Sequence, residues 1–552
     1  MVVLKSPFPT VKIPITTIPN HFLFDPIRND PGRRNLVAML LSETNEKITY
    51  GEVEHNVLAL SAGLAALGVH KGVVVQMFGP SGPEFPQIAW AVLHAGGILT
   101  TANPAYNADE LAYQLGDSKP TFMFTVPDML ETALAAAKEG NIKTSNIFVY
   151  QAKATGFKYW TELFGDAAKA PKVKWSADEL TKTPAYILYS SGTTGRPKGV
   201  MQSHFNVIAN RQQTSSLVPP EFIPPSGTPA LSIFPMYHAA GLFIIQGMLA
   251  GGSMVITSRK FSFSRFCQAI QDYKIAGIVA PPPIYVMLAK SPEARKYDLS
   301  SLQAMGSGAA PLGKELAEEI GASFKLPSGF IMNGWGQSEV NCSGTGGGLL
   351  PPKIGSVGFP LPNSEIKLID EDGNEVHTPN TPGEMYYKGP NVTLGYLNRD
   401  DATRETYIDG WVKTGDQIIY DDQGYLFVVD RLKELIKVNA LQVAPAELEA
   451  LVLSHPAVAD VAVVPTPDDM AGELPRAFVV TKAGKQSKQT ALDIMKFVDE
   501  RVAKHKHLRG GICFVDEIPK NPSGKILRRV LRDDPAKGLI PHPANAGPNA
   551  RL

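Results

Sequence analysis

The sequence predicts an α/β protein with a large N-terminal domain of parallel α/β subdomains, a β-rich subdomain and a small, mobile α+β C-terminal domain. Apolar strands alternate with helical patterns as far as about residue 348, which is typical of parallel sheets. From Lys353 the chain changes to short strands separated by turn dipeptides such as Asp372-Gly373 and Asp409-Gly410. A chain of 552 residues also exceeds what one core holds, so at least two domains are expected.

Hydrophobic periodicity predicts the individual elements. Apolar residues recur at intervals of three and four between Thr49 and Gly68, which indicates an amphipathic helix that ends at a glycine. Further helices are predicted over residues 87–95, 129–137, 445–451 and 490–502. Strands are predicted at residues 73–78, 98–99, 121–126, 147–149, 185–188, 230–234, 277–280, 302–305, 460–464 and 477–481.

These patterns divide the chain into three parts. Residues 1–431 form the N-terminal domain, in which the β-rich subdomain covers about 353–431. Residues 432–540 have their own helices and strands, enough for a separate small domain, and the boundary is expected at 431–433. Residues 541–552 are rich in Pro, Gly and Asn and are expected to be a disordered tail.

Composition excludes several classes of protein. Lys plus Arg equals Asp plus Glu at 53 each, so no net charge favours nucleic acid or an anionic membrane surface. Cys267, Cys342 and Cys513 lack metal or disulfide spacing, which favours a reducing compartment. The apolar residues 238–256 are interrupted by glycines and are interpreted as a buried helix, a turn and a strand, so no membrane span is expected.

The segment Tyr189 to Val200, with the sequence YSSGTTGRPKGV, is interpreted as a phosphate loop. Hydroxyl groups, glycines and one lysine within ten positions can wrap a polyphosphate. A flexible linker shares this composition, but a linker rarely lies between two apolar segments. The spacing also differs from the Walker pattern of P-loop NTPases. The loop is expected between a strand and a helix capped by Ser203.

The loop and four later motifs together resemble the adenylate-forming superfamily, which includes acyl-CoA synthetases, 4-coumarate-CoA ligases, beetle luciferases and peptide-synthetase adenylation domains. The resemblance covers nearly the whole chain and is closest to 4-coumarate-CoA ligase-like acyl-CoA synthetases. The later motifs are Ser307-Gly308-Ala309-Ala310-Pro311, Asn333-Gly334-Trp335-Gly336-Gln337-Ser338-Glu339, Lys413-Thr414-Gly415-Asp416 with Asp430-Arg431, and Ser523-Gly524-Lys525-Ile526-Leu527-Arg528.

The resemblance implies an ATP site. Trp335 stands where the family has a tyrosine and is expected to stack on the base, Asp416 would accept from the ribose hydroxyls, and Glu339 with Thr194 would hold Mg²⁺. In isolation Asp416 would be a solvated turn residue and Trp335 a core aromatic. The implied ATP and AMP contacts are Ser190, Ser191, Gly192, Thr193, Thr194, Gly195, Lys198, Ala310, Asn333, Gly334, Trp335, Ser338, Asp416, Arg431, Lys433, Lys437 and Gln442.

The implied catalytic residues are Lys525, His238, Glu339 and Arg431. In the family the lysine contacts the carboxylate and the α-phosphate, while the histidine gates the acyl site. Without the motif match, Lys525 would be a surface lysine and His238 a core residue. A carboxylic acid is already ionised at neutral pH, so the site needs to neutralise charge rather than supply a base. The small domain is expected to turn about Lys433 between two half-reactions.

The implied acyl pocket contains His238 and the small or apolar residues Ala240, Ile244, Gly308, Gly334 and Val340. This favours a medium-chain fatty or an aryl-alkanoic acid over a hydroxycinnamate. Lys260, Asn439 and Ala440 match positions near CoA, but Asn439-Ala440 replaces the Lys-Gly of 4-coumarate-CoA ligases and luciferases.

The prediction is therefore an ATP-dependent carboxylate-CoA ligase that uses ATP, Mg²⁺ and CoA. Three alternatives stay open: transfer of the acyl group to an amine, a luciferase-type oxidation, and a catalytically inactive nucleotide-binding protein. The final residues Ala550-Arg551-Leu552 resemble the address read by the peroxisomal import receptor. A peroxisomal location, otherwise a cytoplasmic one, is therefore expected.

Overall fold

The computed structural model describes residues 3–190, 197–308, 312–329, 331–348, 350–439, 441–468, 470–482, 485–521, 524–534, 536 and 538–545. The first part of the chain builds two sheets with helices packed on them. Its strands are β1 (Leu4–Lys5), β2 (Val37–Leu41), β3 (Lys47–Thr49), β4 (Val74–Phe78), β5 (Ile98–Ala102), β6 (Phe122–Thr125), β7 (Ile147–Val149), β8 (Pro184–Ser190), β9 (Lys198–Ser203), β10 (Pro229–Leu231) and β11 (Met254–Thr257). Its helices are α1 (Asp25–Asn29), α2 (Tyr50–Ala66), α3 (Glu84–His94), α4 (Ala108–Ser118), α5 (Leu130–Glu139), α6 (Ala177–Lys182), α7 (His204–Ser215) and α8 (Ala239–Ala250).

The larger of these sheets has the strand order β7-β6-β4-β5-β8-β9. Its first five strands are parallel, as the alternation of strands and helices predicted. The predicted helix after Thr49 is confirmed and begins with a capping box. The Thr49 hydroxyl accepts from the Glu52 N–H at 3.2 Å, and the Glu52 carboxylate accepts from the Thr49 N–H at 2.8 Å. The second sheet has the order β10-β11-β2-β3.

The expected position of the phosphate loop between a strand and a helix is wrong in one respect. Strand β9 follows the loop and pairs antiparallel with β8, so the loop joins two strands, and α7 begins only after β9. The other edge of β9 is also paired, since Met201 N–H donates to the Gly395 carbonyl at 2.9 Å and Leu397 N–H to that of Gly199 at 2.8 Å. A partner about 200 residues away along the chain stabilises β9, and a local hydrophobic pattern does not show it.

A third, parallel sheet consists of β12 (Gly277–Ala280), β13 (Ala304–Ser307) and β14 (Met332–Asn333), in that order. The helices of this region are α9 (Phe263–Tyr273), α10 (Pro282–Lys290) and α11 (Lys314–Ser323). The carboxyl ends of β13 and β14 face the same side, which is where open α/β sheets bind ligands.

The β-rich subdomain is confirmed. It contains β15 (Thr345–Gly346), β16 (Phe359–Pro360), β17 (Glu365–Ile369), β18 (Gly383–Lys388), α12 (Asp400–Thr406), β19 (Tyr407–Ile408), β20 (Trp411–Tyr420) and β21 (Leu426–Arg431). The main sheet has the order β1-β17-β18-β20-β19, and β21 also pairs with β20. Asp409 and Gly410 have φ values of 51° and 80° and turn β19 into β20, as the dipeptide predicted.

The small domain contains one five-stranded sheet with helices. Its elements are β22 (Ile436–Val438), β23 (Leu441–Val443), α13 (Pro445–Leu453), β24 (Val458–Asp468), β25 (Gly472–Thr481), α14 (Lys488–Asp499), β26 (Ile512–Phe514) and α15 (Arg528–Arg532). The strand order is β23-β22-β25-β24, with β26 also pairing with β25. The boundary proposed at 431–433 lies between β21 and β22.

The predicted tail does not begin at Pro541. His542 is 4% exposed, and its Nε2 lies 2.8 Å from Oδ2 of Asp499, so the first residues after 540 pack against α14. The composition of the segment gave no sign of this one buried anchor. Residues 546–552 lie outside the described residues. Among the residues described, no helix is both long and apolar enough to cross a lipid bilayer; the apolar residues 238–256 form α8, a turn and β11, as predicted.

Candidate active site

A cavity of about 500 Å³ lies between the large domain and the small domain. Six of the predicted site residues line it. Five come from the large domain and one, Lys525, comes from the small domain; the large-domain residues are Asn333, Gly334, Trp335, Asp416 and Arg431. The fold therefore brings together motifs that are separated by almost two hundred residues in the sequence.

The end of the parallel sheet forms one wall of the cavity. Gly334 N–H donates to the Ser307 carbonyl at 3.0 Å, just beyond the ends of β13 and β14. A Cβ atom at Gly308 would lie 3.8 Å from the Gly334 carbonyl oxygen, so the two glycine motifs are neighbours. Small residues here leave the backbone accessible to a ligand.

Asp416 is a buried carboxylate at the centre of the large-domain wall. It is 4% exposed and lies opposite Arg431 in the β20–β21 ladder. Its Oδ2 accepts from the Trp335 indole N–H at 2.7 Å, and its Oδ1 lies 3.4 Å from Nε of Arg431. Burial raises the pKa of Asp416, while Arg431 and the Trp335 hydrogen bond lower it. The result is a fixed acceptor for hydroxyl donors.

Trp335 contributes more than the aromatic face that the sequence predicted. The indole is only 7% exposed and packs at 5.9 Å from the Tyr387 ring. A Cβ atom at Gly344 would lie 2.3 Å from the indole, so only glycine fits beside it. This packing fixes the direction of the N–H group toward Asp416.

Lys525 enters the cavity on a tight loop of the small domain. Its N–H donates to Oδ1 of Asn521 at 2.9 Å, and its carbonyl accepts from the Asn521 N–H at 2.9 Å. Gly524 has a φ of +84°, and a Cβ atom there would lie 3.1 Å from Cβ of Pro281 in the large domain. The loop therefore rests directly on the start of α10.

The charge of Lys525 depends on its surroundings. Burial and the charge of Arg431 together lower its pKa to about 8, against the opposing effects of Glu434 and Asp416. Lys525 also interacts electrostatically with His238. Lys525 of the small domain therefore interacts with both Asp416 and His238 of the large domain.

Arg528 anchors the Lys525 loop, a role that the sequence analysis did not predict. Its guanidinium lies 2.5 Å from Glu434 and 2.7 Å from Glu449, and all three side chains are largely buried. Its Nε also donates to the Val463 carbonyl at 3.3 Å. A further carboxylate, Asp430, accepts from the Ala446 N–H at 3.1 Å, and burial raises its pKa to about 6. Arg528 belongs to the final sequence motif and could have been noticed there. Its partners Glu449 and Glu434 are about 80 and 94 residues away in the sequence, so the motif does not predict the contacts.

His238 caps helix α8. Its Nδ1 accepts from the Ala240 N–H at 3.4 Å, and burial, followed by the charge of Lys525, lowers its pKa. The neutral ring therefore carries its proton on Nε2. Gly241 permits this arrangement, because a Cβ atom there would lie 2.0 Å from the Pro235 carbonyl oxygen.

The other predicted acyl-pocket residues have different environments. Ala240 and Ile244 lie on α8 and are partly buried, whereas Val340 is completely buried in the core beside Trp335.

A second polar group contains Glu339, Tyr396 and Lys198. The Tyr396 hydroxyl donates to Oε1 of Glu339 at 2.8 Å, and Nζ of Lys198 lies 4.6 Å from the centre of the Tyr396 ring. Ser190 is the cross-strand neighbour of Lys198, and the Ser338 carbonyl accepts from Gln202 at 3.4 Å. Sequence analysis missed Tyr396; the only local signal is Gly395, whose φ of +115° allows the turn before it.

Several predicted residues do not line the cavity. Lys260 is exposed on the large domain, and Lys433, Lys437 and Asn439 are exposed on the small domain. Gln442 accepts from Gln417 at 3.0 Å and donates to Glu371, both in the large domain. Ser191, Gly192, Thr193, Thr194, Gly195, Ala310 and Ala440 lie outside the described residues.

Known families and proteins match this chain over most of its length. The sequence model of the AMP-binding enzyme family matches residues 24–397, and that of the AMP-binding enzyme C-terminal domain matches residues 447–525.

Two relatives from plants match almost end to end. The peroxisomal OPC-8:0-CoA ligase 1 of Arabidopsis thaliana is 36% identical over 538 residues, which covers 96% of each chain. The 4-coumarate–CoA ligase CCL1 of Humulus lupulus is 35% identical over 535 residues, covering 94% of this chain and 95% of the relative. The crystal structure of ATP-bound MatB from Rhodopseudomonas palustris has a TM-score of 0.80 at 27% identity, covering 94% of this chain and 98% of that one.

Proposed function

We propose a mechanism for the interdomain cavity, and its premise is that this chain belongs to the family of AMP-binding, adenylate-forming enzymes. The chain is an AMP-forming acid–thiol ligase that uses ATP, CoA and Mg²⁺. The observation that supports our assignment of roles is the position of Lys525, which reaches from the small domain to the surroundings of Asp416 and His238.

In the first half-reaction, a carboxylate oxygen of the acid attacks the α-phosphorus of ATP. The new bond is an oxygen–phosphorus bond, the bond between the α-phosphorus and the bridging oxygen to the β-phosphorus breaks, and pyrophosphate leaves. The acid is ionised, so no base is required. Protonated Lys525 and Arg431 offset the repulsion between the carboxylate and the phosphate. The Nε2–H group of neutral His238 is assigned to the acyl site.

The nucleoside part of ATP is assigned to the large-domain wall. Asp416 accepts hydrogen bonds from the ribose hydroxyls, and Trp335 and Arg431 hold its two oxygens in place. Asn333 and Gly334 contact the base, and Ser190, Lys198 and Ser338 contact the phosphates. The residues 191–195 and Ala310, which lie outside the described residues, complete the same assignment.

Glu339 is suited to a magnesium ion, because it offers a hard carboxylate held in one orientation by the Tyr396 hydroxyl. Glu339 and Thr194 would hold the ion, which when bound supplies positive charge to the phosphate oxygens. Lys198 lies against the same tyrosine and is assigned to the departing pyrophosphate.

In the second half-reaction, the CoA thiolate attacks the acyl carbonyl, a carbon–sulfur bond forms, and AMP leaves with the electron pair of the carbon–oxygen bond. Lys433 is proposed as the hinge. Rotation of the small domain would break the contacts of Gln442 with Gln417 and Glu371 and withdraw Lys525. Lys260, Asn439 and Ala440 are proposed to contact CoA after this rotation. Before it, Lys260 and Asn439 are exposed and do not line the cavity.

The acid is proposed to be hydrophobic, either a medium-chain fatty acid or an aryl-alkanoic acid. Support comes from α8, where Ala240 and Ile244 present small apolar side chains next to His238, and from the glycines at positions 308 and 334. A panel of acids tests this choice. Octanoate and phenylalkanoates are expected to give higher kcat/KM than acetate or cinnamate, and a preference for acetate contradicts it.

Isotope exchange between pyrophosphate and ATP across a library of acids tests the first half-reaction. The enzyme is then supplied with ATP, the best acid, and either CoA or a set of amines. Consumption of the adenylate by CoA alone is the expected result. Consumption by amines alone identifies a non-CoA acceptor, and no exchange with any acid contradicts the proposed function.

A peroxisomal location is proposed as well. It is supported by the terminal Ala550-Arg551-Leu552 and by the similarity to the peroxisomal OPC-8:0-CoA ligase 1 of Arabidopsis thaliana. Masking Leu552 with a C-terminal fusion should move the protein to the cytosol, whereas an N-terminal fusion of the same size should not. An unchanged location after C-terminal fusion counts against recognition by the import receptor.

A further inference from the structure

Helix α8 continues beyond the proposed acyl pocket to a partly buried arginine, Arg211. Ala240, Ile244, Gly247 and Gly251 are spaced by four, three and four residues, so their Cβ directions fall on one face of the helix. The first two belong to the proposed acyl pocket. Because Gly247 and Gly251 have no side chain, the next turns of this face are open.

Arg211 of α7 lies over these two glycines. A Cβ atom at Gly247 would lie 3.5 Å from Nη1 of Arg211, and one at Gly251 would lie 3.8 Å from Nη2. The guanidinium therefore lies on the face that carries Ala240 and Ile244, beside two positions that have no side chain.

Within the described part of the chain, the guanidinium of Arg211 forms no hydrogen bond or ion pair, and it lies against Gly247 and Gly251. Burial lowers its pKa. Arg211 interacts electrostatically with His21, whose pKa its charge helps to lower, and Nε2 of His21 lies 3.4 Å from Nε2 of Gln212. Arg211 is partly buried. A partly buried charge without a counterion loses hydration, and a ligand that supplies an oxygen acceptor compensates for that loss.

The length of α8 gives the distance between Arg211 and the carboxylate that reacts near His238. The seven residues from Ala240 to Gly247 span about 10 Å of helix, and the eleven to Gly251 span about 16 Å. An extended chain of about eight to twelve carbon atoms covers this distance.

From this geometry we propose that Arg211 binds a second oxygen function, a carboxylate or a ketone, at the far end of a medium-chain acid. The substrate class is thus an ω-oxygenated acid of about eight to twelve carbons. This inference rests on the proposed function, since it concerns the acyl group of the same reaction. A guanidinium suits either oxygen function because it has five donors and keeps its charge when buried.

The test compares decanoate, 9-oxodecanoate and decanedioate in pyrophosphate exchange with the full-length enzyme. The wild type is expected to favour at least one oxygenated acid over decanoate by about ten-fold or more in kcat/KM. Arg211→Met should remove this preference and leave kcat/KM for decanoate within about three-fold, because a methionine fills similar space without donors. Arg211→Lys should keep part of a preference for decanedioate. Arg295→Met, which removes an exposed arginine of the same domain, should change nothing.

Two results overturn the inference. One is a wild type without preference for either oxygenated acid. The other is an Arg211→Met variant that loses activity equally toward all three acids, which identifies a packing role. Failure of the proposed function is distinct, since exchange would then be absent with decanoate and with every other acid. If Arg211→Met is too unstable to purify, the Arg211→Lys preference between 9-oxodecanoate and decanedioate decides the matter.

Discussion

The indole N–H of Trp335 donates to Oδ2 of Asp416 at 2.7 Å, across 81 residues of sequence. Asp416 is therefore held from two sides, by Trp335 and by Arg431, at the centre of the interdomain cavity. A tyrosine at position 335 would keep an aromatic ring but would lose this donor, since only the indole has an N–H at that place.

Trp335→Phe should weaken binding of ATP more than it slows the chemical step. A hydrogen bond to a charged group contributes about 1.5–3 kcal/mol, so KM for ATP is expected to rise by about ten-fold or more. Steady-state kinetics at saturating acid measures it. Trp411→Phe, in the β-rich subdomain and away from the cavity, is the control. Equal KM values for the two variants would contradict the role of the N–H group.

Lys525→Ala should abolish formation of the acyl-adenylate. Among the described residues of the small domain, Lys525 is the cation that interacts with both Asp416 and His238. Pyrophosphate exchange measures this loss. Synthetic acyl-AMP should still be converted to the thioester by the variant, since Lys525 leaves the site in the second half-reaction. Exchange at the wild-type rate would remove Lys525 from the mechanism.

The pH dependence of the first half-reaction should follow Lys525. Its pKa is lowered to about 8, and a lysine is charged below its pKa, so the charge is lost as the pH rises through about 8. The value of kcat/KM for ATP, which reports the free enzyme, is expected to fall above that pH. In Lys525→Arg the decline should disappear, because arginine stays charged. A decline of the same shape in both proteins would assign it to another group.

Gly524→Ala should impair closure of the small domain. The new Cβ atom would lie 3.1 Å from Pro281 and 3.3 Å from Pro283, and the backbone φ of +84° is unfavourable for alanine. Gly538→Ala is the matched control, since Gly538 has a φ of +77° and nothing within 4 Å. Both variants should lose about 1 kcal/mol of stability or somewhat more. Only Gly524→Ala should lower the rate of pyrophosphate exchange, and equal rates would show that the contact with α10 is unimportant.

Arg528→Met should destabilise the small domain, because Glu434 and Glu449 would be left buried without their cation. Breaking such a pair typically costs about 3–5 kcal/mol. Urea unfolding followed by fluorescence and circular dichroism measures the change. The double variant Arg528→Met with Glu449→Gln should recover part of the loss, since one uncompensated charge is removed. A single variant as stable as the wild type would show that these carboxylates are solvated or protonated.

Local sequence was enough to predict most of the framework. The capping box at Thr49 and Glu52, the Asp409-Gly410 turn and the serine cap of α7 all act within four residues, so their patterns are complete in the sequence. The order of the nucleotide motifs was equally visible, because glycines and hydroxyl residues cluster at each one.

Interactions over long sequence distances were not predictable. Strand β9 depends on pairing with residues 394–397, and Tyr396 reaches Glu339 only because of that pairing. Arg528 and its two glutamates likewise meet across about 80 and 94 residues. Nothing in the composition of residues 541–552 distinguished the buried His542 from the rest of the segment.

The sequence alone determined the class of fold, the family and the chemical types of the site residues, because these follow from periodicity and from short motifs. The tertiary structure decided that Lys525 reaches Asp416 and His238, that Trp335 donates to Asp416, and that Arg211 lies over the glycines of α8. The physical reason is that the direction and burial of a side chain depend on neighbours brought together by packing, and a linear pattern does not specify these neighbours.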